Sequence, residues 1–214
     1  MKGKILAGAL VAMMGLGMAG TAMAAPGAHA HIGHVATSWT DTPGQAGLLE
    51  TAMKEAKIAA QHAGFAASRP DDLAWMKTHA NHVLHALDPS RIAKGPGMGY
   101  GVVKAATGVA KHINFAAASD DASKNVKLHA KHVATSAENT VARAQEMIAL
   151  IERIEAAKTA GEAAPLVAKL NRLAKALADG MDANGDGKVT WVKGEGGLKV
   201  AQKHLSIMMK GEGM

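Results

Sequence analysis

Residues 122–157 read ASKNVKLHAKHVATSAENTVARAQEMIALIERIEAA. Val126, Val133, Ala137, Ala144, Ile148 and Ile151 recur in this stretch with a period near 3.6, the spacing of one face of an α-helix. A helix over the whole stretch would rise about 50 Å at 1.5 Å per residue, and a bend or an earlier end is expected. The composition around it agrees. Alanine is abundant, aromatics make up 3% of the chain, and strand-forming residues do not alternate. That pattern predicts an all-α protein whose helices meet closely over small side chains.

The same period places helices on either side. Thr42-Pro43-Gly44-Gln45 has the order of a capping box with Pro in the first turn, and it opens a helix to about Ala67 along Leu49, Met53, Ala56, Ala60 and Ala63. Ser68 and Asp71 open the next, with the stripe Leu73, Met76, Ala80, Val83 and Leu87, and Asp88-Pro89 ends it. Glycine alternates from Lys94 to Gly101. Such a loop could cradle an anion, but it lacks the phosphate-loop order, and a flexible connection between helices is the preferred reading. A third helix runs from Tyr100 to Ala118, and Ser119-Asp120-Asp121 caps the long one. Thr159 and Glu162 form a further box before Pro165, opening a helix through Leu166, Leu170, Leu173 and Leu177. A last helix spans Leu198 to Met209. The expected architecture is a bundle of about four helices over residues 42–160, followed by a helix–loop–helix unit over 161–214.

Residues 1–24 read as a secretory signal peptide. Lys2 and Lys4 precede the apolar run Ile5–Met18, and Ala22-Met23-Ala24 is a cleavage signal. This predicts a periplasmic or secreted protein with no stable membrane span once the signal is cut. Residues 25–41 carry Pro26, Gly27 and Gly33 with His29, His31 and His34, and are expected to form a flexible arm. Loss of Lys2 and Lys4 takes the net charge from +6 to +4, without a basic cluster that would suit nucleic acid. The absence of cysteine excludes thiolate zinc sites, iron–sulfur clusters and c-type haem. There is no H-E-x-x-H, no Glu-x-x-His and no G-x-S-x-G, so a non-enzymatic protein is expected.

Two segments share the form H-A-x-H-V: His79-Ala80-Asn81-His82-Val83 and His129-Ala130-Lys131-His132-Val133. A three-residue step turns about 300°, which sets the two rings of each pair within about 60° on a helix face. One pair can chelate a cation. Two pairs on facing helices could close a four-nitrogen site for zinc, copper or nickel, with His85 and His112 as extra ligands. His79 flanks the apolar stripe of its helix, His82 lies further out and His85 points nearly away, an arrangement that boundary histidines share. A haem or other ligand, and a trace of helix-hairpin duplication, are further readings. The arm's histidines would add weak, accessory metal binding.

One loop is more specific. Asp182-Ala-Asn-Gly-Asp-Gly-Lys-Val-Thr-Trp-Val-Lys193 sets Asp182, Asn184, Asp186 and Thr190 at positions 1, 3, 5 and 9, with Gly187 at the sharp turn of position 6. It resembles the calcium loop of an EF-hand. The resemblance covers about 40 residues, Leu166 to Met209. It implies calcium held by Asp182, Asn184 and Asp186, by the Lys188 carbonyl, and by Thr190 directly or through water. Lys193 departs from the pattern where a bidentate Glu belongs. Glu195, among Gly194, Gly196 and Gly197, is the carboxylate that could replace it, or water fills the gap. The implied affinity is of the extracellular class, about 10⁻⁴ to 10⁻³ M, and the ion structural. The sequence therefore suggests an exported, calcium-binding helical protein. The alternatives are a zinc, copper or nickel buffer built on the histidine pairs, and a helical adaptor for a protein partner.

Overall fold

The computed structural model describes residues 27–214, so the expected signal peptide lies outside the described residues. Among these residues there are seven α-helices and no strand: α1 (Ala28–Ala36), α2 (Leu48–Ala67), α3 (Leu73–Leu87), α4 (Val102–Ala118), α5 (Lys124–Ala156), α6 (Ala160–Asp179) and α7 (Leu198–Glu212). The fold is the all-α bundle that the periodicity predicts. No helix of the described residues is long and apolar enough to cross a membrane.

The 33-residue α5 is the axis of the molecule. It runs without a break, so the expected early end does not occur. One side of it packs on α4, and others meet α6, α7 and α3. Ala130, Ala134, Ala137 and Ala144 line its buried side, and such small side chains let neighbouring helices approach closely. Helix α2 forms a second seam against α3, α6 and α4, and α1 lies on α4.

Starts of helices follow side-chain chemistry, with shifts from the sequence reading. The Thr159–Glu162 box forms as expected: Thr159 Oγ1 accepts from Glu162 N at 3.3 Å, and Glu162 Oε2 accepts from Lys158 N at 2.7 Å. At α3 the cap is Asp72, which accepts from Trp75 N at 2.9 Å, in place of Ser68. At α5 it is Ser123, which accepts from Val126 N at 3.0 Å. Thr42 caps nothing. Its hydroxyl donates to the carbonyls of Trp39 and Ala46, closing a turn ahead of α2, and α2 begins at Leu48 after Gly47.

Within the stretch expected to be a flexible arm, residues 28–36 form α1, whose Ala28, Ile32 and Val35 are buried, while Ala28 N donates to Asp121 Oδ1 at 2.9 Å. Three apolar residues at helical spacing suffice because α4 and α2 supply the rest of the contact surface. The helices of the stretch 161–214 bury their apolar faces against the bundle. Leu170, Leu177, Leu198 and Met208 are fully buried in the same hydrophobic cluster as Met76, Ile113 and Ile151.

The glycine-rich loop wraps a carboxyl group of the chain itself, that of Glu55. Glu55 is wholly buried, and its Oε1 accepts from the backbone N–H of Met98, Tyr100 and Gly101 at 3.0–3.1 Å. Gly101 takes φ +85°, and a Cβ there would sit 2.8 Å from the Leu87 carbonyl oxygen. His85, expected to point away, is 9% exposed, with Nδ1 3.0 Å from the Pro96 carbonyl oxygen. The loop folds over it and supplies the contact that helix periodicity could not foresee.

Candidate metal centre

Each H-x-x-H pair sits on one helix and is completed by a third histidine from another helix. On α3, His79 and His82 meet His62 of α2: the Nδ1–Nδ1 distances are 3.0 Å from His62 to His79 and 3.3 Å from His62 to His82. On α5, His129 and His132 meet His204 of α7 at 3.1 and 3.2 Å. On α1, His31 and His34 meet His112 of α4 at 3.1 and 3.3 Å. In every triad the three ligating nitrogens lie within 4.8 Å of one another. The α3 and α5 pairs therefore do not converge on a shared four-nitrogen site. Each pair has its own partner, so the expected four-histidine arrangement is replaced by three separate three-histidine groups.

The geometry suits a small cation. With metal–nitrogen bonds of about 2.0–2.1 Å, the two edges of each triad that run to the shared histidine, 3.0–3.3 Å long, would subtend roughly 91–111° at an ion, around the tetrahedral value. The central nitrogen of each triad, on His62, His112 or His204, faces two others at hydrogen-bonding range. One ring N–H cannot serve both, and a positive ring would face its neighbours at close range.

Protonation is correspondingly suppressed. Burial, then the adjacent His82 and His79, lowers His62 to about 4. Burial, then His34 and His31, lowers His112 to about 4. Burial, then His132 and His129, does the same for His204. His31, His79, His82 and His132 are also lowered, each first by burial and then by a neighbouring histidine. Near neutral pH these rings are neutral and hold lone pairs ready for a metal.

Aromatic rings wall all three groups. Trp39 lies 4.8 Å from His34 and 4.6 Å from His112, centroid to centroid. Trp75 lies 4.3 Å from His79, and Trp191 stacks on His132 at 4.2 Å. Phe65 sits against His62 and His79, and Phe115 against His31 and His112. These are all three tryptophans and both phenylalanines of the chain.

The triads were only half visible in sequence. His31-Ile32-Gly33-His34-Val35 is a third H-x-x-H-V segment, hidden because the shared alanine is replaced. The completing residues carry a weaker signal. His62 and His112 each stand three residues before a Phe, and each precedes its H-A-x-H-V pair by the same separation. Lys54, Ala56, His62, Phe65, His79, His82 and Val83 recur as Lys104, Ala106, His112, Phe115, His129, His132 and Val133. So the α2–α3 and α4–α5 hairpins repeat one another, while their histidines pair differently. His62 closes on its own hairpin, whereas His112 turns to α1 and the α5 pair is closed by α7. His85 joins no triad, and His29 meets Glu212 at 3.3 Å.

The loop from Asp182 is a different kind of place. Asp182, Asn184, Asp186 and Lys188 are exposed. Asp182 accepts from Gly185 N at 2.7 Å and Gly187 N at 2.8 Å, Asn184 Oδ1 from Asp186 N at 2.9 Å, and Asp186 from Lys188 N at 2.9 Å. Glu195 is wholly buried. Its Oε2 accepts from Thr190 N at 2.9 Å and Thr190 Oγ1 at 2.8 Å, and its Oε1 has no hydrogen-bond partner. Asp182, Asp186 and Glu195 are not among the convergent groups of the described residues, all of which are histidine triads. The loop is tied to α5 by Asn139, which donates to Val192 O and accepts from Gly194 N, and by Arg143, which donates to the carbonyls of Ala176, Gly194, Glu195 and Gly196.

No known family model, curated protein or solved structure matches the chain.

Proposed function

We propose that this is an exported, non-enzymatic protein that binds transition-metal ions, one at each of three histidine triads, and so stores or buffers them. The observation that carries the reading is concentration. Nine of the eleven histidines, all the tryptophans and both phenylalanines gather at three places built alike on different helix pairs. Boundary histidines on an amphipathic helix would have no reason to find a third ring on another helix at each pair. Imidazole nitrogen suits zinc, copper and nickel. The leader expected at residues 1–24 supports a periplasmic or secreted location for such a protein.

The test is metal titration of the full chain followed by metal analysis. Three equivalents are expected, and His62→Ala, His112→Ala and His204→Ala should each remove one, since each takes away the ring shared by two contacts. Unchanged stoichiometry in all three variants would remove the proposal.

Calcium at the Asp182 loop is a second reading, favoured by the buried Glu195 Oε1 that lacks a partner beside Thr190. An ion there would draw on Asp182, Asn184, Asp186, the Lys188 carbonyl and Thr190, with Glu195 in place of the missing carboxylate at Lys193. Calcium raising the melting temperature of the wild type but not of Asp182→Ala/Asp186→Ala supports it. An equal rise in both sinks it.

A further inference from the structure

The triads share more than three nitrogens, and the shared surroundings discriminate between metals. None of the three groups includes a carboxylate, so the donor set brings no negative charge. Each is instead bordered by a fixed cation lying over its aromatic wall. Arg69 Cζ is 3.8 Å from the centre of the Trp75 ring, Lys131 Nζ 5.4 Å from that of Trp191, and Lys111 Nζ 5.6 Å from that of Phe115. Three different helix pairs thus repeat one pattern: neutral nitrogens, a ring, and a positive charge beyond it.

Such a site penalises charge. A divalent ion among neutral ligands places two uncompensated charges near a basic side chain, and although Arg69, Lys111 and Lys131 are exposed and partly screened by solvent, the repulsion on a divalent ion is twice that on a monovalent one. Zinc, nickel and cupric ions relieve that cost with an anionic ligand or a bound hydroxide. A monovalent ion carries half the charge. Copper(I) is also satisfied by two or three neutral imidazoles. Calcium, magnesium and manganese need oxygen donors that the triads lack.

We infer that the three triads are copper(I) sites, selected by a neutral three-nitrogen donor set, an aromatic wall and a bordering cation. This rests on the triads being metal sites at all. The assignment makes every tryptophan of the chain a reporter of its own site: Trp39 for the α1–α4 triad, Trp75 for α2–α3 and Trp191 for α5–α7.

The experiment is an anaerobic titration of the full chain with copper(I) against a chromophoric copper(I) chelator, with zinc(II) titrated in parallel against a zinc indicator. Three equivalents of copper(I) are expected, held at least about tenfold more tightly than zinc. Tryptophan emission should change in three His-dependent portions. Zinc bound in three equivalents with copper(I) no tighter overturns the copper(I) assignment and leaves the three-site reading standing. Retention of neither metal above the level of the His62→Ala/His112→Ala/His204→Ala variant overturns both. A second measurement keeps the ligands intact. Arg69→Glu, Lys131→Glu and Lys111→Glu, checked for native helicity by circular dichroism, should each shift the preference at that one site toward zinc by about tenfold. An unchanged preference in all three, at native helicity, overturns the electrostatic basis of the assignment.

Discussion

Glu55 shows how this chain uses a buried polar group. Glu55 satisfies three backbone N–H groups that the glycine loop would otherwise leave unpaired inside the protein. Glu55→Ala should therefore destabilise the fold by about 3 kcal/mol, the scale of orphaning buried donors, read as a lower urea midpoint. A change within a few tenths of a kcal/mol would mean that the loop re-pairs by itself. In sequence this loop reads chiefly as a flexible connection, and its contact with Glu55 is not legible there, because Glu55 lies on α2 and only the packing of α2 under the loop joins them. The histidines follow the same logic. H-A-x-H-V fixes two rings locally, since helix geometry alone sets their relation. The third ring depends on which helices become neighbours, and linear spacing does not encode that.

At the scale of elements, α5 connects the parts. Its first half carries His129 and His132, and further along Asn139 and Arg143 hold the Asp182–Glu195 loop, on which Trp191 rides against His132. Arg143 is 5% exposed and faces four carbonyl oxygens. Arg143→Met keeps much of its volume but leaves those carbonyls without a donor, so a loss of about 3–5 kcal/mol is expected on chemical denaturation. The same variant should blue-shift less, or quench more, at Trp191 than at Trp39 or Trp75, because only Trp191 is placed by the loop. Uniform change of all three tryptophans would contradict this. Long elements such as α5 and α6 were legible in sequence because many residues repeat the period. Short α1 was not, because its stripe is only Ala28, Ile32 and Val35, broken by Gly33 and three histidines. Helix starts at Asp72 and Ser123 were displaced from Ser68 and Ser119 because several capping residues stand together, and packing selects among them.

For the whole molecule, the triads tie stability to pH and, on the proposed function, to metal. His62, His112 and His204 titrate near 6.5 when unfolded and about 4 when folded, lowered first by burial and then by their histidine neighbours. The sign follows from proton counting. Above pH 6.5 neither state binds these protons, so they have no effect. As pH falls through 6.5 the unfolded chain takes them up and the folded protein does not, so stability falls. Below about 4 both states are protonated and the loss is complete. The metal-free protein should therefore melt at progressively lower temperature between pH 6.5 and pH 4. His62→Phe/His112→Phe/His204→Phe should flatten that dependence, and an equally steep fall in this variant would refute the assignment. At pH 7.5 the same sites give the opposite lever. An ion that binds only the folded triads stabilises by mass action, by about 2.7 kcal/mol per site when free metal is a hundredfold above the dissociation constant. Melting temperature should then rise stepwise with three sites in the wild type, two in His62→Ala, and not at all in the variant lacking all three shared histidines. Differential scanning calorimetry across a metal series would show this directly, because a general effect of salt would raise or lower all of these proteins alike.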